Sequence, residues 1–132
     1  MALTEAEIAY LESQPVGRLA TVSPDGMPQV NPVGFRYDAD LGVIDIGGRE
    51  LAATKKFRNV AAGSQAALVI DEVSREPWRV RGLEIRGAAE ALLEQEPQRP
   101  GFSPELIRIH PRRVISWGIE TDQFEMRARD VS

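Results

Sequence analysis

The stretch GRLATVSPDGMPQVNPVGFRYD, residues 17–38, decides the fold. Residues 17–23 alternate apolar side chains with small or polar ones, as a β-strand with at least one buried face does. The sequence SPDG at 23–26 predicts a tight turn, because Pro24 presets φ and Gly26 tolerates a positive φ. Residues 27–37 form a second extended run. The segment therefore predicts a β-hairpin.

Two prolines mark the second arm of this hairpin. Pro28 and Pro32 have no backbone N–H, so their strand is predicted to lie at a sheet edge or to be interrupted. Two interpretations are open at this point. The backbone around Asn31, Pro32 and Val33 presents itself to a flat ring, or the prolines only protect an edge strand against aggregation.

Further strands and short helices flank the hairpin. Thr4 and Glu7 have the spacing of a capping box, which predicts a first short helix that Pro15 ends. Gly82 and Gly87 indicate a bulge or bend in a long strand. Strands are predicted at 43–46, 65–71, 80–94, 112–120 and 124–129, a helix at 50–62, one helical turn at 104–109, and loops at 72–79 and 95–104. This order predicts a mainly β protein, a β-barrel with helices in its gaps.

Composition limits the classes of function. The 132 residues suit one domain, 1–132, and 16 basic against 20 acidic residues give a net charge of −4, which argues against a nucleic-acid partner. The chain has no cysteine and only one histidine, His110, so thiol chemistry and a metal site built from His or Cys are excluded within one subunit. The N-terminus has no signal-peptide pattern, and no apolar run approaches the roughly 20 residues of a membrane span, so we expect a cytoplasmic protein that does not enter membranes.

The most basic segment is the strongest candidate for a binding site. Arg49, Lys55, Lys56 and Arg58 fall within ten positions of an acidic protein. In a helix at 50–62, Lys55 and Arg58 share a face, as do Lys55 and Asn59, and Arg49 lies near the N-terminus, where backbone donors favour an anion. Such a face can hold a phosphate, but a solvated helix face explains the same pattern.

The sequence lacks the common catalytic and nucleotide-binding motifs, and its two tryptophans are the remaining candidates for a binding site. No nucleophile motif, P-loop or dinucleotide fingerprint is present, so chemistry requires a bound cofactor. Trp78 and Trp117 are candidates to cover a ring system, although tryptophan in a small protein is more often found in the core or at an interface.

Taken together, these segments resemble the pyridoxamine 5'-phosphate oxidase-like (PPOX) superfamily, and within it the F420-dependent (deazaflavin) oxidoreductases of actinobacteria. The resemblance rests on residues 17–38, on Lys56-x-Arg58-Asn59, on AALVIDEV with the following Pro77-Trp78, on IRGAAE at 85–90 and on the terminal IHPRRVISWGI. It implies a split β-barrel, FMN-binding-protein-like and homodimeric, with cofactor sites between the subunits.

The resemblance also implies a set of cofactor-binding residues. The cofactor's phosphate end would be held by Arg49, Lys55, Lys56, Arg58 and Asn59. The backbone around Asn31, Pro32 and Val33 would line its ring. Trp78 would come from the partner subunit and Trp117 would border the pocket.

The function that the resemblance implies is hydride transfer from reduced coenzyme F420 to a small organic acceptor, such as an activated enone. Tyr37, Ser116, His110 and water are the candidate proton donors. One alternative is an FMN-dependent oxidase or reductase with the same fold. Another is a non-catalytic flavin, deazaflavin or haem binding protein, with His110 as the haem ligand.

Overall fold

A computed structural model describes residues 3–121 and 123–131. Over these residues the chain forms two α-helices, one 3₁₀ turn and eight β-strands. In chain order they are α1 (Glu5–Ser13), β1 (Gly17–Val22), β2 (Pro28–Val33), β3 (Arg36–Asp38), β4 (Val43–Ile46), the 3₁₀ turn (Leu51–Ala53), α2 (Lys55–Ala61), β5 (Ala66–Arg75), β6 (Trp78–Leu92), β7 (Leu106–Trp117) and β8 (Met126–Asp130).

The strands form one antiparallel sheet in the order β2-β1-β5-β6-β7-β4-β3, with β8 paired to the second half of β7. Alternate side chains point inward and form the core, which includes Leu19, Leu68, Ile85 and Ile109, each no more than 1% exposed. The mainly β, split β-barrel class predicted from the sequence is confirmed.

The predicted hairpin is confirmed in detail. β1 and β2 pair from Gly17↔Val33 to Val22↔Pro28, and Gly26 in the turn has a φ of 89°. Among the described strands, β2 pairs only with β1, so it lies at a sheet edge. The prolines are therefore in the position where a missing donor costs the ladder least.

Local signals for α1 and for the bulge are also confirmed. Thr4 Oγ1 accepts the N–H of Glu7 at 3.1 Å, and Glu7 Oε1 accepts the N–H of Thr4 at 2.9 Å. In β6 the register shifts between Arg86 and Gly87. A Cβ on Gly87 would lie 1.9 Å from the carbonyl oxygen of His110, so the bulge brings two backbones together where a side chain cannot fit.

The helix predicted at 50–62 is wrong in its first part. Glu50 adopts a left-handed conformation with a φ of 47°, and residues 51–53 form only the 3₁₀ turn. Thr54 is extended and caps α2, its Oγ1 accepting the N–H of Phe57 at 3.4 Å. A threonine side chain at an N-cap takes the place of the missing backbone acceptor for an N–H of the first turn. Thr54 does this for Phe57, so the helix begins at Lys55.

The loop predicted at 72–79 is wrong. β5 continues to Arg75 and β6 begins at Trp78, with Glu76 and Pro77 between them. The polar residues of this stretch belong to a β-hairpin that projects into solvent, where side chains on both faces are exposed. Polarity alone therefore could not distinguish this ribbon from a loop.

The helical turn predicted at 104–109 is also wrong. Residues 106–117 form β7, with Ile107 and Ile109 buried and Arg108 and His110 less buried between them. This alternation has the period of a strand. His110, which lies between the predicted turn at 104–109 and the predicted strand at 112–120, is part of β7. The predicted last strand at 124–129 corresponds to β8.

Candidate functional site

Helix α2 is fastened to the β1–β2 hairpin by one buried side chain. Asn59 is 1% exposed, and its Nδ2 donates to Thr21 Oγ1 at 3.0 Å and to Gln29 Oε1 at 3.4 Å. Its Oδ1 is buried and has no hydrogen-bond partner among the described residues. Asn59 is thus a positioning residue for α2, and a direct contact between its side chain and a phosphate stays a prediction.

Three cations of α2 stand beside this anchor. Lys55 and Arg58 are exposed and Lys56 is half-buried. Burial lowers the pKa of Lys56. The pKa of Asp25 is lowered mainly by a hydrogen bond from Ser23 and, in smaller part, by the charge of Lys55, which places Lys55 near the β1–β2 turn.

The three cations make no direct ion pair within the described part of the chain, although Asp25 lies near Lys55. A half-buried ammonium without a counter-ion is costly, and an anionic group would offset the cost. The structure thus brings three of the predicted residues together on α2. We call Lys55, Lys56 and Arg58 the α2 cluster.

Arg49 is placed differently from the sequence prediction. It is exposed and precedes the 3₁₀ turn, so it does not stand at the N-terminus of α2. Its guanidinium carbon lies 3.9 Å from the position of a Cβ on Gly101, in the segment between β6 and β7. A contact between Arg49 and a cofactor phosphate stays a prediction.

The outer edge of β2 consists mainly of hydrogen-bond acceptors. The N–H of Val22 donates to Ser64 Oγ at 2.9 Å and not to β2, so Val22↔Pro28 is a non-hydrogen-bonded pair. Because such pairs alternate with bonded ones in an antiparallel ladder, Pro28, Val30 and Pro32 direct their main-chain groups away from β1. Proline has no N–H, so this edge offers three carbonyl oxygens and a single donor, the N–H of Val30.

The side chains of β2 divide between the two faces. Asn31 and Val33 point to the inner face, opposite Leu19 and Gly17, whereas Pro32 is exposed. Asn31 Oδ1 is buried without a hydrogen-bond partner among the described residues. The residues predicted to line a ring can therefore do so mainly through their backbone.

The two tryptophans share the outer face of the sheet. Trp78 begins β6 next to the β5–β6 turn and is 70% exposed. Trp117 packs across Gly82, where an added Cβ would lie 2.3 Å from the indole ring. Trp117 therefore has a packing role in the sheet, and its contact with a cofactor stays a prediction.

Of the three side chains that are candidate proton donors, two contact other residues. Ser116 is 3% exposed and hydrogen-bonds to Glu7, and His110 Nε2 contacts Glu90. Tyr37 lines a cavity close to the end of β2. Burial raises the pKa of Tyr37, with a smaller contribution from Asp38, so its hydroxyl holds its proton.

Two further features, a membrane-spanning helix and a metal site, were also sought among the described residues. No helix there has the length and apolar character needed to cross a bilayer. The same residues contain no group of three or more His, Cys, Asp or Glu side chains that could hold a metal ion.

Comparisons with known proteins agree with this architecture. Residues 3–127 match the family model of pyridoxamine 5'-phosphate oxidase. The chain is 45% identical over 135 residues to a 5a,11a-dehydrotetracycline/5a,11a-dehydrooxytetracycline reductase of Streptomyces rimosus, and the alignment covers 100% of this chain and 95% of the relative.

Solved structures share the fold at low identity. The conserved hypothetical protein Rv2991 from Mycobacterium tuberculosis has a TM-score of 0.66 at 22% identity, over 87% of this chain and 84% of that one. The FAD binding protein from Mycobacterium smegmatis has a TM-score of 0.63 at 18% identity, over 98% of both chains. The reductase and the family model together support an oxidoreductase of the PPOX type. The chain belongs to the pyridoxamine 5'-phosphate oxidase family.

Proposed function

We propose that the protein is a reductase that uses coenzyme F420 to reduce an activated carbon–carbon double bond, such as that of an enone. The observation that carries the proposal is the α2 cluster, Lys55, Lys56 and Arg58, which forms no ion pair with a described residue. Its helix is held against the hairpin whose outer edge is rich in carbonyl oxygens. The cluster would bind the phosphate end of the cofactor, and the edge of β2 would bind its ring.

The α2 cluster suits a phosphate. Charge-assisted hydrogen bonds from ammonium and guanidinium groups are about twice as strong as neutral ones, and a phosphate accepts several at once. Lys56 would gain most, because burial has already removed part of its hydration. Arg58, one turn further along α2, would add a guanidinium from the exposed side.

The edge of β2 suits the polar side of a deazaflavin. That side of the ring system carries one N–H between two carbonyl groups, so the ring can donate to one of the carbonyl oxygens of Pro28, Val30 or Pro32, and a ring carbonyl can accept the N–H of Val30. FMN carries the same groups, so the edge fits either cofactor. The preference for F420 rests on the resemblance of the Lys56-x-Arg58-Asn59 and RRVISWGI segments and on the dehydrotetracycline reductase, whose name denotes reduction of a dehydro compound.

The reduction requires a hydride and a proton. A bound deazaflavin would supply the hydride. The protein would hold the ring and the acceptor close together and in register, which by itself contributes several kcal/mol to catalysis, on the order of 7–11 in favourable cases. Water or Tyr37 would supply the proton, since Ser116 and His110 contact other residues.

A second copy of the chain would complete the site. Large apolar side chains are exposed on the outer face of the sheet, among them Val22 at 45%, Val30 at 64%, Val73 at 50%, Trp78 at 70% and Met126 at 63%. A patch of this kind marks an interaction surface. A homodimer would cover it and bring Trp78 of one subunit towards the cofactor of the other.

The test is a titration of the purified, cofactor-free protein with F420 and, separately, with FMN, followed by tryptophan fluorescence. We expect tight quenching by F420, together with oxidation of reduced F420 when 5a,11a-dehydrotetracycline is added as acceptor. A preference for FMN would assign the protein to the flavin enzymes of the family. Binding of neither cofactor would refute the proposal.

A further inference from the structure

Two adjoining cavities lie immediately beyond the ring-lining strand. They measure 570 and 430 Å³, and both are lined by Pro15, Phe35, Arg36 and Arg99. The β1–β2 ladder ends at Gly17↔Val33, and Gly34, the next residue, lines the smaller cavity. The two cavities form one groove, which begins where the proposed cofactor edge ends.

Three aromatic side chains line the groove. Phe35 and Tyr37 line one side, and Phe102 lines the smaller cavity from the segment between β6 and β7. The Tyr37 hydroxyl is buried and has no hydrogen-bond partner among the described residues. Aromatic walls of this kind favour a planar ring system over a flexible aliphatic chain, because rings stack with little loss of conformational freedom.

Two arginines, Arg36 and Arg99, line the groove. Arg99 lies over the ring of Phe102, 6.0 Å from its centroid, and forms no ion pair with a described residue. Arg36 reaches a carboxylate only at the long distance of 3.9 Å, to Asp38. Glu12 is the single acidic residue among those that line the two cavities. Asp38 offsets part of the charge of Arg36, and Glu12 lies among the lining residues, so Arg99 is the group best placed to attract an anion.

We propose that this groove binds the hydride acceptor, and that Arg36 and Arg99 select planar polycyclic acceptors that carry an ionised carboxylate or enolate. The proposal rests on the proposed reductase function and specifies the substrate class of that site. An anionic group on the acceptor would lie between the two guanidinium groups, and its rings would pack against Phe35 and Phe102. The double bond to be reduced would then lie towards Gly34 and the edge of β2.

The test uses two tricyclic probes that differ only in charge, anthraquinone-2-carboxylate and the neutral anthraquinone-2-carboxamide. Isothermal titration of the cofactor-free protein gives the affinity for each, and amide chemical shifts of Gly34 and Phe102 locate the probe. We expect the carboxylate to bind about three- to tenfold more tightly than the amide, as partly exposed charge pairs do. Arg99→Gln and Arg36→Gln should each remove most of that difference and leave binding of the amide unchanged.

Two matched variants sharpen the result. Glu12→Gln removes the opposing charge, so it should strengthen carboxylate binding by about two- to threefold. Arg112→Gln replaces an exposed arginine away from the groove and should change neither affinity. Equal affinities for the two probes, equal losses of both in Arg99→Gln, or shifts confined to residues outside the groove would overturn the proposal.

The outcome separates this inference from the proposed function, because no probe measurement requires F420. Charge-selective binding that depends on Arg99 supports the groove even if F420 fails to bind. Tight F420 binding combined with no charge selectivity supports the cofactor assignment and refutes the groove as an anion-selective acceptor site.

Discussion

Glu7 of α1 and Arg129 of β8 form a two-contact ion pair, with Arg129 Nη1 2.8 Å from Glu7 Oε2 and Nη2 2.5 Å from Oε1. Glu7 is completely buried and Arg129 is half-buried. The same carboxylate accepts the N–H of Thr4 in the capping box. One side chain therefore both begins the first helix and fixes the last strand to it.

Replacement of this carboxylate should weaken the fold. We expect Glu7→Gln to lower the free energy of unfolding by about 2–4 kcal/mol, because it removes a buried carboxylate that accepts two charge-assisted hydrogen bonds from Arg129. Urea denaturation followed by tryptophan fluorescence measures the change. Glu5→Gln, in the same turn but exposed, is the matched control and should stay within about 0.5 kcal/mol of the parent protein. Equal effects of the two variants would show that the ion pair adds nothing.

The same pair predicts how stability depends on pH. Burial alone raises the pKa of Glu7, but the hydrogen bonds from Arg129 and from the Thr4 backbone, with the charge of Arg129, outweigh it and leave the pKa below its ordinary 4.5. A carboxyl with a depressed folded pKa contributes stability that is fully present above the unfolded value and is lost as pH falls through the folded value. Thermal denaturation should therefore show a loss below about pH 4.5 that Glu7→Gln reduces. Parallel pH profiles for the two proteins would contradict this assignment.

The contact between Gly82 and Trp117 predicts a steric effect. Gly82→Ala would place a Cβ 2.3 Å from the indole ring, so Trp117 must move, at a cost of about 1–3 kcal/mol of stability. Gly34→Ala is the control, because nothing lies within 4 Å of its added Cβ and its φ is not in the left-handed region. We expect the control to keep or slightly raise the melting temperature. Near-UV circular dichroism should report the displaced indole in Gly82→Ala only.

The α2 cluster predicts a loss of affinity without a loss of stability. Lys56→Ala and Arg58→Ala should each weaken F420 binding by about 1.5–3 kcal/mol, the usual contribution of a hydrogen bond to a charged group. Asn59→Ala should behave differently, because it removes the buried contacts to Thr21 and Gln29 and destabilises the fold itself. Paired titration and thermal-denaturation measurements distinguish the two effects. Unchanged affinity in both cation variants would remove the phosphate assignment.

Local chemistry made part of the fold predictable. The hairpin turn at 23–26 and the capping box of Thr4 and Glu7 depend on residues close in sequence, and both were predicted correctly. The prediction at 104–109 was wrong because that strand forms through pairing with a distant strand, as in Arg108 with Asp45. Tertiary pairing there overrides local preference. The prediction at 72–79 was wrong because the strand ends there pair with each other, as in Arg75 with Trp78, while their polar, exposed side chains look like those of a loop.

The site was predictable to a similar extent. Spacing put Lys55 and Asn59 on one helix face, but it could not tell that Asn59 points into the barrel while Lys55 stays in solvent. The groove left no sequence signal, because Glu12, Tyr37 and Arg99 come from segments that only the folded chain brings together.

The acceptor-rich edge of β2 bears on how this protein can evolve. Recognition through carbonyl oxygens depends on main-chain geometry, so exchanges of the exposed side chain of Val30 would leave the proposed cofactor binding largely intact. Gln29, Asn31 and Val33, by contrast, are held by their inward contacts. Val30 could thus change to suit a partner on the outer face while the proposed main-chain contact with the ring is kept. Selection on partner fit and selection on redox chemistry would act on the same strand through different atoms.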